Sequence, residues 1–156
     1  ITNCYNIANV YGRSEVGGIT GCSYDGNVIS NCYNLGKIGV YPNIDPSSTL
    51  DEFGGISGNG AYSIANCYNN NSVSGNSEVG GITGHSPRST MTNSFYLYNA
   101  NYKGNGSTPD ATGVVESVST DSDMKSKIIA YFKTQDGWTE DTNNINNGYP
   151  ILAWQK

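Results

Sequence analysis

The chain has 156 residues and a formal net charge of −5. This acidity argues against nucleic-acid binding, because domains that bind nucleic acids carry basic patches that neutralise phosphates. No apolar run reaches the ~18 residues that a membrane-spanning helix needs, and we therefore expect no insertion into a membrane.

Most of the chain consists of copies of one pattern. Each copy begins with Ile-x-Asn-Cys-Tyr-Asn and continues to a hydrophobic residue followed by Gly-Gly-Ile-Thr-Gly or Gly-Gly-Ile-Ser-Gly. Self-similarity at this period predicts an array in which each repeat buries its apolar side against its neighbours. We expect a repeat domain over residues 1–96, with copies at 1–28, 29–63 and 64–90 and a degenerate copy from 91, and a capping region over 97–156. Because the chain opens inside a repeat, we expect a segment of a longer protein.

Stacking also explains the composition. Charged residues make up only 13% of the chain, against ~25% in an ordinary domain. Equivalent side chains in stacked repeats lie ~4.8 Å apart, where repeated like charges repel each other.

The second copy is longer than the others. From its cysteine to the first glycine of the Gly-Gly pair there are 22 residues, against 13 in the first and third copies. The extra residues lie within 39–50, where Pro42, Pro46 and several turn residues predict a loop that leaves the stack. Such insertions often form a binding face.

Within each copy the apolar residues recur at fixed positions in short segments without helical periodicity, which predicts parallel strands with these residues inside. The recurring positions are Ile1, Val10, Val16 and Ile19, then Ile29, Ile38, Phe53 and Ile56, then Ile64, Val73, Val79 and Ile82. Glycine and asparagine suit the turns because both tolerate a left-handed backbone. We therefore assign structural roles to Asn3, Asn31, Asn66, Gly18, Gly55 and Gly81. Stacked amides, such as those of Asn6, Asn34 and Asn69, are expected to hydrogen-bond along the stack.

Three of the four cysteines, Cys4, Cys32 and Cys67, share one phase of the repeat, and Ser94 takes their place in the fourth copy. We interpret them as buried, reduced thiols with a structural role. Disulfides are the alternative, and a metal site is less favoured because no Cys-x-x-Cys or Cys/His spacing occurs.

An aromatic residue follows each of these positions, at Tyr5, Tyr33, Tyr68 and Phe95. We interpret this column as a structural stack of rings. The functional alternative is that Tyr5, Tyr33 and Tyr68 form a carbohydrate-facing strip that binds a ligand.

The complete pattern, with a hydrophobic residue six positions after the cysteine and then Val-Gly-Gly-Ile-Thr-Gly, resembles the GLUG-motif repeats of bacterial surface and secreted proteins. The motif lies at 16–21, 53–58 and 79–84, with Phe53 in place of the first valine in the second copy. The resemblance implies a right-handed parallel β-helix, an extracellular or cell-surface location in bacteria, and an adhesin or scaffold role. Some immunoglobulin A proteases carry such repeats, but their metallopeptidase chemistry does not carry over because no His-Glu-x-x-His occurs.

We therefore expect an all-β fold, a right-handed parallel β-helix of three to four coils with a C-terminal cap that contains one short helix. Residues 101–113 are polar and glycine-rich, which predicts a loop. A polar N-cap before an apolar run predicts a helix near 121–132. Residues 148–154 resemble the ends of other GLUG-type chains, which implies a terminal strand that covers the last coil and occupies its strand edges, with Pro150 at an edge.

The sequence favours a non-catalytic role as adhesin, stalk or ligand-binding scaffold. Its expected partner is a surface ligand, either a glycan or a protein of a host or partner cell. The single histidine, His85, is interpreted as a solvated side chain, and no nucleophile-elbow or phosphate-binding motif occurs. The alternative is an enzyme of the polysaccharide-lyase type, and an irregular Thr/Ser pattern disfavours a third class, ice binding.

Three glutamates occupy equivalent positions in successive repeats. Glu15, Glu52 and Glu78 stand directly before the hydrophobic residue of each Gly-Gly motif. In one interpretation these side chains spread into solvent and bind nothing, so that no cofactor is needed. In the other, the column and the nearby Asp45 and Asp51 bind calcium or a cationic ligand, because hard cations prefer carboxylate oxygens.

Overall fold

A computed structural model describes residues 1–23, 26–43, 45, 50–87, 89–99, 101–107 and 115–156, with the side chains of 115–117 excepted. Short β-strands in parallel sheets dominate these residues, and one α-helix lies near the C terminus. No helix within the described ranges is both long and apolar enough to cross a membrane.

The strands of the repeat region contain two to nine residues each. They are β1 (Tyr5–Asn6), β2 (Val10–Gly12), β3 (Val16–Gly17), β4 (Thr20–Cys22), β5 (Val28–Ser30), β6 (Tyr33–Asn34), β7 (Ile38–Val40), β8 (Asp51–Gly54), β9 (Ser57–Asn59), β10 (Ser63–Ala65), β11 (Tyr68–Asn69), β12 (Ser77–His85), β13 (Thr90–Thr92) and β14 (Ser94–Leu97). The C-terminal part adds β15 (Lys103–Asn105), β16 (Val115–Val118), α1 (Asp121–Phe132), β17 (Trp138–Thr139), β18 (Ile151–Leu152) and a 3-10 turn over Ala153–Gln155.

Strands of equivalent phase pair in parallel between successive repeats. One sheet has the order β1-β6-β11-β14-β16, a second has β13-β10-β5, and a third joins β3, β8 and β12 with β9 and β4. The register matches the sequence repeat, since Ile64 lies opposite Ile29 on one side and Met91 on the other. The predicted all-β class with parallel strands is therefore confirmed.

The apolar positions of the second and third repeats, together with Met91 of the fourth copy, form the core. Ile29, Ile64, Ile56, Ile82 and Met91 are fully buried in one cluster, and Phe53 is buried in another. Ile1 belongs to the same phase as Ile29 but is half exposed, at 51%. It has a neighbouring repeat on one side only, so the predicted inward position is not buried there.

The turns between strands use asparagine in a left-handed backbone. Asn3, Asn31, Asn66 and Asn93 have φ angles of 56°, 51°, 53° and 48°. Asn31, for example, stands between β5 and β6, where the chain changes direction. Asparagine adopts this conformation more easily than other residues with a side chain, because its short amide can hydrogen-bond locally.

A second set of asparagines forms a hydrogen-bonded amide ladder. Asn6 Nδ2 donates to Asn34 Oδ1 at 2.7 Å, and Asn34 Nδ2 donates to Asn69 Oδ1 at 2.8 Å. The second glycine of the first two motifs packs against this ladder: a Cβ on Gly18 would lie 2.5 Å from the Asn34 side chain and one on Gly55 2.4 Å from that of Asn69, whereas Gly81 of the third motif packs against the Tyr96 ring. A side chain there would collide with the ladder, so the position needs glycine.

The thiols share one local bond. Cys32 Sγ and Cys67 Sγ donate to the carbonyl oxygen two residues earlier, at 3.1 and 3.2 Å, and Ser94 Oγ makes the equivalent bond at 3.0 Å. None of the four cysteines forms a disulfide, and Cys32 and Cys67 are buried. Cys4 is exposed, so the expectation that this thiol is buried is wrong, because none of the described repeats covers it.

The predicted insertion falls between β7, which ends at Val40, and β8, which begins at Asp51. Residue 44 and residues 46–49 lie outside the described residues. Leu50, at the end of the insertion, is buried against Ile38 and Phe53.

The C-terminal helix α1 spans Asp121–Phe132, as predicted, and Thr120 is its N-cap because its side chain accepts the Asp123 N–H. The prediction of a loop over 101–113 is wrong in part. Residues Lys103–Asn105 form β15, which pairs with β12 and so extends the stack, whereas 108–113 lie outside the described residues.

The predicted placement of the last strand is also wrong. Ile151 and Leu152 pair antiparallel with Thr139 and Trp138 and do not occupy a strand edge of the stack. In the described residues, β16 pairs in parallel with β14, and β15 pairs in parallel with β12. Residues 138–156, which we call the C-terminal segment, instead lie along the side of the stack. Trp138, Tyr149 and Leu152 of this segment share a buried cluster with Tyr33, Tyr68 and Phe95.

Candidate functional site

The aromatic column (Tyr5, Tyr33, Tyr68 and Phe95) stacks between repeats. The rings of Tyr33 and Tyr68 are 5.0 Å apart and inclined by only 3°, and those of Tyr5 and Tyr33 are 5.3 Å apart. Tyr33 and Tyr68 are buried under the C-terminal segment, whereas Tyr5 is 41% exposed. This corrects the alternative of a carbohydrate-facing strip, because two of its three rings have no surface for a ligand.

Hydrogen bonds tie the same rings to the C-terminal segment. Tyr68 Oη donates to Pro150 O at 2.7 Å, and Tyr33 Oη donates to Gln155 Oε1 at 3.1 Å. Burial raises the pKa of Tyr33 to about 12 and that of Tyr68 well above its usual value. Both phenols therefore stay protonated and serve as donors in the core.

The carboxylate column (Glu15, Glu52 and Glu78) lies on a different part of the stack. Its residues immediately precede Val16, Phe53 and Val79, which are aligned between repeats. All three glutamates have a left-handed backbone, with φ angles of 54°, 65° and 50°. That conformation disfavours a residue with a long side chain by ~1 kcal/mol or more, so the repeat keeps a carboxylate where Asn or Gly would fit better.

The last glycine of each motif allows the chain to pass these glutamates closely. A Cβ on Gly58 would lie 2.4 Å from the carbonyl carbon of Glu15, and one on Gly84 would lie 2.5 Å from that of Glu52. The residue after each of these glycines is thereby brought beside the carboxylate column.

Those next residues form a second column (Cys22, Asn59 and His85). Cys22 lies opposite Asn59, and His85 lies opposite Asn59 on the other side. Asn59 Nδ2 donates to Glu52 Oε1 at 3.1 Å and approaches Glu15 Oε1 at 3.4 Å. His85 Nδ1 lies 2.8 Å from Glu78 Oε1. The two columns therefore form one polar site across three repeats.

Glu52, Glu78 and His85 stand closest together within this site. One ligand atom from each lies within 4.8 Å of the others, and all three residues are partly buried. Glu15 is not in this group, and its contact to the rest of the site runs through Asn59. The structure therefore groups two of the three predicted glutamates with a histidine that the sequence had not linked to them.

The electrostatics of the site centre on Glu52. Its pKa is raised, first by burial and then by the negative charges of Asp51, Glu15 and Glu78, while His85 acts in the opposite direction. Of the two aspartates expected nearby, Asp51 accepts a hydrogen bond from Ser14 Oγ at 2.7 Å. For Asp45, the residues on either side in the sequence, 44 and 46, lie outside the described residues.

A groove of about 600 Å³ adjoins the second column; its lining includes Cys22, Asn59, Tyr62, His85 and Ser86. Cysteine, asparagine and histidine also make up one class of hydrolytic triad. Here Asn59 stands between Cys22 and His85, which places these two about two strand spacings, or ~9.6 Å, apart. The thiol and the imidazole are too far apart in this arrangement for direct proton transfer.

A second groove, of about 790 Å³, is lined by the first residues of β12, Ser77 to Val79, and by residues of β15; we call it the amide groove. Amides and hydroxyls dominate its lining, which includes Asn76, Asn99, Asn101, Ser74 and Ser107, together with the ring of Tyr102. Its described lining contains only two charged residues, Glu78 and Lys103.

Sequence reasoning missed the role of His85, although a signal was present. His85 follows the last glycine of its motif, as Asn59 and Cys22 follow theirs. Phase alignment of the repeats beyond the motif would have placed His85 beside the carboxylate column. No family model, curated protein or solved structure matches the chain.

Proposed function

We propose that this chain is a non-catalytic, ligand-binding β-solenoid module of a bacterial surface or secreted protein. In this proposal the repeats wind as a right-handed parallel β-helix of the GLUG-motif type, and the module acts as an adhesin or binding scaffold. The in-register pairing of Ile29, Ile64 and Met91 supports the winding. The motif sequences at 16–21, 53–58 and 79–84 support the family and the location.

The ligand class that we propose is a neutral glycan, and the amide groove carries this part of the proposal. Sugars present many hydroxyl groups, which amide and hydroxyl side chains recognise by hydrogen bonds. Asn76 and Asn101 are exposed in the groove, and the partly buried Tyr102 adds a ring beside them. A groove with few charges favours a neutral ligand over an ionic one.

Binding of the purified chain to a glycan array tests this function. Asn76→Ala and Asn101→Ala each remove a side-chain amide from the groove and should weaken binding to the selected glycan about tenfold, the equivalent of one hydrogen bond of ~1.4 kcal/mol. The matched control is Asn143→Ala, which removes an exposed amide of the C-terminal segment and should leave the affinity unchanged.

Two results would contradict the proposal. One is the absence of binding to any glycan by the intact chain. The other is time-dependent release of fragments from a bound polysaccharide, which would favour the lyase-type alternative. A separate result would contradict the groove assignment alone. If Asn143→Ala and Asn101→Ala lost equal amounts of glycan affinity, the glycan would bind outside the amide groove.

A further inference from the structure

We propose that Glu52, Glu78 and His85 form a binding site for a divalent transition metal of the zinc class. The inference goes beyond the glycan-binding function and does not depend on it. It starts from one observation: an imidazole nitrogen and two carboxylate oxygens, contributed by two neighbouring strands, converge within 4.8 Å.

The donor atoms select the metal. Calcium and magnesium are bound by oxygen ligands, whereas zinc accepts histidine nitrogen and carboxylate oxygen at ~2.0–2.2 Å. Two ligands at that distance in a tetrahedron lie roughly 3.4 Å apart. The 2.8 Å separation of His85 Nδ1 and Glu78 Oε1 is a hydrogen-bond distance, so a bound metal replaces that bond and moves the two atoms ~0.6 Å farther apart. The widest separation in the set, up to 4.8 Å, exceeds the ligand spacing, so metal binding requires rotation of a glutamate side chain. The donor set of Glu52, Glu78 and His85 therefore suits zinc. Carboxylates alone would instead have suited calcium.

The backbone holds the three ligands in place. Glu78 and His85 belong to the same strand, β12, and Glu52 belongs to β8, which pairs with it in parallel. Asn59 donates to Glu52 Oε1 at 3.1 Å and so orients that carboxylate from outside the ligand set. Groups in this supporting position typically change metal affinity 10–100-fold when they are removed.

Charge and access also favour a cation. Among the described residues, His85 is the only ion-pair partner of Glu78, and Glu52 has no lysine, arginine or histidine within ion-pair distance. The groove of about 600 Å³ that His85 and Asn59 line gives a metal a path to the site. It also leaves a coordination position for water or a further ligand, as in zinc sites with three protein ligands.

Calorimetric titration with zinc chloride tests the inference. The parent for the titration carries Cys4→Ser and Cys22→Ser, because these two thiols are not buried and would bind zinc themselves. We expect one saturable site per chain, and a visible cobalt spectrum with d–d bands but without a thiolate charge-transfer band. His85→Ala, Glu52→Gln and Glu78→Gln should each weaken zinc binding at least ~100-fold, more than loss of a supporting group does.

Glu15→Gln is the matched control, because Glu15 has the same phase and backbone but lies outside the ligand set. It should change zinc affinity less than about threefold, within the ordinary scatter of a charge at the rim. Far-UV circular dichroism identifies any variant that fails to fold, and His85→Gln then replaces His85→Ala. The inference is overturned if the parent binds no zinc at millimolar concentration. It is also overturned if His85→Ala binds zinc as tightly as the parent does, or if the chain binds calcium in preference to zinc.

Discussion

At the scale of single residues, each repeat position has one chemical task. Asn34 shows how strict such a task can be. It is fully buried, its Nδ2 donates to Gly36 O and Asn69 Oδ1, and its Oδ1 accepts from Gly36 N and Asn6 Nδ2. A buried amide with all these partners leaves several groups unsatisfied when it is removed.

We therefore predict that Asn34→Ala lowers the free energy of unfolding by about 3 kcal/mol or more, because buried unpaired donors and acceptors lose ~1–3 kcal/mol each. Asn6→Ala is the matched control. Asn6 belongs to the same ladder, but it stands in the first repeat and is only partly buried, so water replaces its partners and the loss should stay below ~1 kcal/mol. Urea denaturation of both variants measures the difference, and equal losses would contradict the buried ladder.

The raised pKa of Glu52 predicts a pH-dependent stability. Burial and the neighbouring carboxylates favour its protonated form in the folded chain. The favourable contribution is therefore complete below the ordinary glutamate pKa of ~4.3, and it is lost as the pH rises through the higher folded-state value.

Glu52→Gln is neutral at every pH, so in the presence of a chelator it should be more stable than the natural chain at pH 7. The gain should stay below ~1 kcal/mol because the side chain is partly exposed, and it should vanish near pH 3, where both side chains are uncharged. Thermal melts across this range measure the effect. A variant that is less stable than the natural chain at pH 7 would contradict the electrostatic account.

At the scale of elements, the C-terminal segment is a lateral cover of the stack. Trp138 is buried, with its ring 6.0 Å from that of Tyr33, 5.7 Å from that of Tyr68 and 4.2 Å from that of Phe132. The one ring among the described residues that lies near Trp154 is the exposed ring of Tyr5, at 5.8 Å, and Trp154 is itself 62% exposed. Trp138 therefore belongs to the buried part of this cover, and Trp154 belongs to its exposed part.

Trp138→Ala should destabilise the chain by ~3–5 kcal/mol, the usual result of removing a buried tryptophan. It should also expose the aromatic column and increase the binding of a hydrophobic dye. Trp154→Ala should change stability by less than ~1 kcal/mol, as surface substitutions commonly do. Denaturation with dye fluorescence compares the two. If both variants behaved alike, the C-terminal segment would not cover the column.

The sequence predicted the elements that repeat better than those that occur once. Strand phase, the turn asparagines and helix α1 could be read from recurring residues or from a local cap. The lateral position of residues 148–154 could not, because an apolar strand with two aromatic residues suits an end cap as well as a side cover. The antiparallel pairing of β18 with β17 and the burial of Tyr33 and Tyr68 distinguish the two. His85 was missed for a related reason: its partners lie in the same phase of other repeats, not in neighbouring sequence.

In the molecule as a whole, the repeats stack in register. Every site described above depends on this stacking: the amide ladder, the carboxylate column and the two grooves each combine residues of different repeats. In-register parallel stacking places equivalent core residues ~4.8 Å apart. A change of register by one residue would turn each inward side chain outward and would separate Glu52 from Glu78 and His85.

Methyl–methyl nuclear Overhauser effects on a chain with labelled isoleucine and methionine methyl groups test this stacking most directly. In-register stacking predicts strong effects between Ile29 and Ile64, between Ile64 and Met91, and between Ile56 and Ile82, which share one buried cluster. Their intensities should not change on dilution, because the contacts lie within one chain. Assigned spectra without the Ile29–Ile64 and Ile56–Ile82 effects would contradict the stacked arrangement and every site built on it.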